Sequence, residues 1–319
     1  MAFDVPGGGE MQLLAYHRYL DAHGVEAVLF NQWKPELDEF SVVHFFSTVS
    51  GSEHFCRYVT RRGLPLVISS SLWVTEETRD QYPMADIQYL LSLADVIVTN
   101  SDMESRQLAT MFGLPEARFL TVYNGIDPDF ARPFSPGLFR GQYPELERFV
   151  LNVGNIEPRK NQLGLIRAMQ MAYPDYPLVL IGQVRDRDYS RQCFEEGGQT
   201  LRYLGPLPHD AELMRSAMAA CDLFVIPSTL ETPSLAALEA AAQGARIAIT
   251  EVGSTREYFR DLVHYLDPGD QNSIIAAIGA GLTAPHDTAL GNLIRHSYTW
   301  KNVIAPLATC YRELAGRTA

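Results

Sequence analysis

The chain has 319 residues, 46% of them hydrophobic and 20% charged, an ordinary globular composition with length for two domains of about 150 residues. Acidic residues exceed basic ones, 38 against 26, for a formal net charge of -12, which excludes general nucleic-acid affinity because that needs a cationic surface. Four scattered cysteines without a CxxC pair, no apolar run near the roughly 18 residues of a spanning helix, and no basic-then-apolar leader together predict a reduced, cytoplasmic protein without a zinc site.

The first feature in chain order is PGGGE, Pro6 to Glu10, directly before a helix-period stretch. Gly7, Gly8 and Gly9 would let the backbone approach a phosphate, and the helix dipole would add to the attraction. The pattern is not GxGxxG and no strand stands before it, so it is no dinucleotide fingerprint. Apolar runs VEAVLF (25–30), SVVHFF (41–46), PLVISS (65–70), DVIVTN (95–100) and RFLTVY (118–123) then alternate with helical stretches. His44 ends one run as a core histidine or a ligand-facing one. Arg57, Arg61 and Arg62 lie on or near one helical face, which suits solvent, an anionic acceptor or a lipid head group.

The stretch from Phe130 to Glu147 holds three prolines and two glycines without clean periodicity and reads as a boundary loop. Strand-like runs restart at RFVLNV (148–153), LVLIG (178–182), TLRYL (200–204), DLFVI (222–226) and RIAIT (246–250). The alternation predicts an α/β protein of two Rossmann-like domains with parallel sheets facing a central cleft. Ligands of such sheets bind at the carboxyl ends of the strands, and the candidate residues follow strands.

In VGNIEPRKNQ a strand ends at Gly154, Asn155 follows, and Arg159 and Lys160 precede a helix. Adjacent cations there suit a departing diphosphate; a basic pair on a surface turn is the plainer reading. After DLFVI comes TLETPSLAALEAAAQGA. Thr232 is expected as the N-cap, with Pro233 in the first turn. The amides near Ser234 and Leu235 then form an anion site. Glu231 and Glu239 flank it, one placed for sugar hydroxyls and the other for a ribose diol. Alternatively Glu239 and Gln243 form a solvated stripe. Asp127-Pro128-Asp129 and Asp186-Arg187-Asp188 each spell D-x-D, but neither context favours a metal, and none is expected.

The E-x7-E spacing of Glu231 and Glu239, the Gly154–Lys160 loop, VYNGIDPDF (122–130), SDMESRQL (101–108) and VGSTREYFRD (252–261) together resemble the retaining glycosyltransferases of family 4. The resemblance implies a GT-B fold with residues 1–135 as acceptor domain, 136–300 as nucleotide-sugar domain, and a closing helix, 301–319, returning to the first. It implies that Glu231 contacts the donor sugar, Glu239 the ribose, Lys160 and Arg159 the diphosphate, and that the Gly7–Gly9 loop closes over it. The chain departs from the pattern at Asn155, where relatives have Arg, at Ser234, where they have Gly, and at Ser69-Ser70-Ser71, where many have a strand-end His. It also lacks the usual first strand. The expected activity is transfer of a sugar from a nucleotide-diphosphate donor to an acceptor hydroxyl with retained configuration, without cofactor or metal. Peripheral contact with the inner membrane face is compatible with it. The rival is a non-catalytic nucleotide-sugar binder of the same fold.

Overall fold

A computed structural model describes residues 7–34, 36–48 and 51–317; Pro6 of the glycine motif lies outside them. The backbone separates into two compact units, Met1–Gly125 with Trp300–Ala319, and Ile126–Thr299.

The first unit opens with α1 (Gly8–Tyr19), followed by β1 (Val43–Phe46), α2 (Glu53–Arg61), β2 (Leu66–Ser69), α3 (Met84–Leu93), β3 (Val96–Thr99), α4 (Asp102–Phe112) and β4 (Phe119–Thr121). The strands pair in the order β1-β2-β3-β4, all parallel. Covered on both faces, β2 and β3 are β-branched and leucine runs, not alternating ones. Leu66, Ile68 and Ile97 meet Cys56 and Val59 of α2, Ile87 and Leu91 of α3 and Leu108 of α4.

The run at 25–30, expected as a strand, is irregular, and Val28, Leu29 and Phe30 are exposed. A strand needs a neighbour for its backbone N–H and C=O groups, and among the described residues β1 pairs with β2 alone. Propensity without a partner makes no ladder.

The second unit comprises α5 (Gly137–Gln142), β5 (Val150–Val153), α6 (Gln162–Ala172), β6 (Leu178–Ile181), α7 (Arg187–Gly197), β7 (Leu201–Tyr203), α8 (Glu212–Ala220), β8 (Leu223–Ile226), α9 (Leu235–Ala242), β9 (Ile247–Thr250), α10 (Thr255–Phe259), β10 (His264–Leu266), α11 (Gln271–Thr283) and α12 (Ala289–Ser297). Its six strands run parallel in the order β10-β9-β8-β5-β6-β7. The order reverses beside β5, so the crevice outside the carboxyl ends of β5 and β8 is the topological switch point. Leu165, Ile166 and Met169 of α6 and Ile274 and Ile278 of α11 cover one sheet face. The stretch read as a boundary loop, 130–147, lies wholly within this unit and includes α5. Ser216 Oγ accepts from the Phe139 amide at 2.9 Å and donates to the Ser135 carbonyl at 2.7 Å.

The chain then returns to the first unit through α13 (Trp300–Val303) and α14 (Ala305–Ala315). Val303, Ile304 and Leu307 are buried, and Tyr16 meets Trp300 edge-on at 6.1 Å. Among the described residues no helix is long and apolar enough to cross a membrane.

Candidate active site

The second unit gathers several of the candidate residues in loops that follow β5 and β8, beside the switch point. Leu, Ala and Glu are the strongest helix formers, and α9 contains nothing else; Gly244, at φ 90°, follows its end. The helix begins later than its sequence suggests. Its N-cap position is Ser234, at φ 86°, and Thr232 and Pro233 stand outside it. First-turn amides of a helix have no intrahelical acceptor, so the amides from Leu235 onward are left open at the amino end of α9.

Lys160 and Glu231, from the segments that lead into α6 and α9, meet with Nζ to Oε1 at 2.6 Å, both largely buried. Two loops hold them there. Lys160 closes the 3₁₀ turn Pro158–Lys160 before α6, and its stem passes Gly154, where a Cβ would lie 3.6 Å from Cε. The Arg159 carbonyl accepts from the Thr229 amide at 2.9 Å, tying this loop to the one bearing Glu231. Glu231 is itself pinned by its backbone: its amide donates to the Val252 carbonyl at 3.2 Å, and its carbonyl accepts from the Ser254 amide at 3.1 Å. Gly253, at φ 106°, sits so close that a Cβ would overlap the Glu231 carbonyl. Burial would raise the Glu231 pKa, but Lys160 and Arg159 outweigh it and hold it below the ordinary 4.5. The Arg159 guanidinium is half-exposed, donating to the Leu230 carbonyl and to Glu157, at 3.2 and 3.3 Å. Asn155 lends its carbonyl to Gln162 Nε2 at 2.9 Å.

Glu239 and Gln243 do not form a solvated stripe. They are 5% and 8% exposed. Gln243 donates to the carbonyls of Phe130 and Arg132, at 2.6 and 3.1 Å, and accepts from the Phe134 amide at 2.8 Å. Glu239 Oε1 stands 2.5 Å from His209 Nε2. His209 lies between β7 and α8, in a loop without periodicity, and escapes sequence reading; its place after a strand end is the one signal it offers. Burial would lower its pKa, yet the hydrogen bond and charge of Glu239, with Asp127 and Asp210, carry it above 6.5.

In the first unit Gly8 and Gly9 belong to the first turn of α1 and not to a loop. The Gly7 amide donates to Glu10 Oε2 at 2.8 Å, so the protein's own carboxylate occupies that amide. Ser69, Ser70 and Ser71 lie at the carboxyl end of β2. Ser70 Oγ donates to the fully buried Glu104 at 2.6 Å, and the amides of Leu72 and Asn100 donate to the same carboxylate at 3.0 and 2.9 Å. Ser71 Oγ reaches Gln12 Oε1 at 3.3 Å. Ser69 Oγ pairs with His44 Nε2 at 2.9 Å, and Tyr311 of α14 takes the other ring nitrogen. His44 is thus a satisfied interior histidine whose pKa burial lowers to about 3.

The surface candidates have partners of their own. Arg62 pairs with Asp38, and Arg57 bonds His54 at 3.0 Å. Asp186 caps α7 through the Tyr189 amide at 2.9 Å, and Asp188 pairs with Arg191 at 2.7 Å.

Two family models match the chain: glycosyl transferases group 1 over residues 139–289 and glycosyltransferase family 4 over residues 32–130. The O-antigen chain mannosyltransferase B of Escherichia coli is 29% identical over 251 residues, a match spanning 74% of this chain and 65% of that protein. The chain therefore covers slightly less than two thirds of this relative. Sucrose-phosphate synthase from Thermosynechococcus elongatus superposes with a TM-score of 0.80 at 19% identity, over 98% of this chain and 94% of that one. The Anabaena HepE protein in complex with UDP does so with a TM-score of 0.70 at 18% identity, over 98% and 95%.

Proposed function

We propose that the chain, whose two halves match the glycosyltransferase family 4 and glycosyl transferases group 1 models, transfers a sugar from a nucleoside-diphosphate donor to an acceptor hydroxyl with retention and without a metal. The observation that carries this reading is the buried Lys160–Glu231 pair, which joins the loops leading into α6 and α9. A diphosphate seated on the α9 amides would meet Lys160 and Arg159, which share the charge that grows as the anomeric C–O bond breaks. Glu231 would accept hydroxyls of the donor sugar. Glu239, about 6 Å into the helix at 1.5 Å per residue, would accept from the ribose diol. HepE was crystallised with UDP and with UDP-glucose, which makes a uridine donor the first to try.

Retention follows from attack on the face that the diphosphate leaves. The acceptor oxygen bonds the anomeric carbon, the C–O bond to diphosphate breaks, and the acceptor proton passes to a diphosphate oxygen. No side-chain base is needed, which accords with serines at the end of β2. Glu231 is poorly suited to act as a nucleophile, since Lys160 holds its carboxylate at 2.6 Å.

Incubation with UDP-, GDP-, ADP- and dTDP-sugars, with hydrolysis and transfer followed by chromatography, tests the reading. Cleavage of one donor with sugar transfer supports it. Tight binding of a nucleotide sugar that is never cleaved would establish the non-catalytic binder in its place.

A further inference from the structure

His209 has no part in the reaction just described, yet it makes the contact nearest to the carboxylate assigned to ribose. Its Nε2 stands 2.5 Å from Glu239 Oε1, and its ring packs against Phe130 with centroids 5.2 Å apart. A carboxylate has two oxygens and about four acceptor positions, so a contact through Oε1 leaves Oε2 available to a hydroxyl. Glu239 extends from a helix otherwise made of Leu and Ala, none of which can orient it by hydrogen bonding.

We propose that His209 is a positioning residue for nucleoside-diphosphate binding: it holds Oε1 of Glu239 so that Oε2 meets the ribose diol, and its charge ties nucleotide affinity to pH. The inference rests on Glu239 being the ribose ligand. The groups facing the ring are Glu239 from α9, Asp127 from the segment before Phe130, and Asp210 from its own loop. Arg215 of α8 is turned instead toward Asp129 and the Phe134 ring. The surroundings are therefore acidic and favour the imidazolium. A bound diphosphate adds further negative charge, so His209 holds its proton more firmly in the complex than in the free protein. Proton uptake on binding means that affinity falls as pH rises through the His209 pKa.

The test is calorimetry on the full chain with UDP, GDP and ADP at pH 6.5 and 9, for wild type, His209→Ala, His209→Gln and Glu239→Ala. Gln places an amide donor near the position of Nε2 but carries no charge. His209→Ala should bind about tenfold more weakly at pH 6.5, the equivalent of one lost hydrogen bond. Wild-type affinity should fall about fivefold more than that of His209→Gln between the two pH values, the nucleotide's own ionisation cancelling in the comparison. Circular dichroism confirms that each variant is folded. Wild-type affinity in His209→Ala, or an equal pH change in wild type and His209→Gln, overturns the proposal. If Glu239→Ala binds as wild type does, the ribose assignment fails instead; if wild type binds none of the three nucleotides, both readings fail.

Discussion

Replacing Lys160 by Ala leaves Glu231 buried, at 6% side-chain exposure, without the ammonium 2.6 Å away. Breaking a buried pair from one side costs about 3–5 kcal/mol. Protonation caps the share of this that comes from the stranded charge, since Glu231 can escape its charge by taking up a proton. From its ordinary value of 4.5 to pH 7 that costs about 1.36 kcal/mol per unit, or roughly 3.4 kcal/mol. The variant should therefore lose about 2–3.5 kcal/mol at pH 7. In the wild type the depressed Glu231 pKa contributes stability above 4.5 that is lost as pH falls through the folded value. In the variant the folded pKa is raised, so the loss is largest above it, shrinks toward pH 4.5 and closes only below the depressed wild-type value. Urea denaturation at pH 4.5, 6 and 8 reads this directly. The double change Lys160→Met with Glu231→Gln should recover most of the stability while remaining unable to transfer sugar. A single variant within about 0.5 kcal/mol of wild type at pH 8, or a loss that does not shrink in acid, would refute the burial argument.

The Arg159 side chain is half-exposed, so Arg159→Ala should leave the urea midpoint nearly unchanged yet lower kcat; altered KM at constant kcat would restrict it to ground-state binding. Ser70→Ala removes a bond of 2.6 Å to a buried carboxylate and should cost about 1.5–3 kcal/mol, whereas Ser71→Ala, with a contact of 3.3 Å, should cost about 1 kcal/mol or less. Equal costs in thermal denaturation would contradict the Glu104 network. Gly253→Ala forces a Cβ into the Glu231 carbonyl at φ 106°, and should lower both stability and donor cleavage; a fully active variant would show that the 252–254 loop does not fix Glu231.

Much of the architecture is legible because parallel strands buried on both faces must be continuous apolar runs, as at 223–226 and 247–250. The short β10 and the run at 25–30 are not, because His264-Tyr265-Leu266 is no apolar run and pairing depends on a neighbour that local sequence cannot supply. Glycines mislead at 7–9: their freedom admits a phosphate loop and a helix turn alike, and Glu10 decides for the turn by capping it. On α9, periodicity marks Glu239 as unusual without saying whether it is solvated. Burial depends on residues 130–134 and on His209, both distant in sequence. The Lys160–Glu231 pair joins two strand-end loops 71 residues apart. Strand order alone brings them together.

The most direct test of the account is proton NMR of the first-formed product from an α-linked nucleotide sugar in the presence of EDTA, with water as acceptor if no other is known. Appearance of the α-anomer before mutarotation, at a rate unchanged by the chelator, is the predicted result. A β-anomer appearing first, or turnover that stops in EDTA and returns with Mg²⁺ or Mn²⁺, would contradict front-face transfer supported by Lys160, Arg159 and the α9 amides.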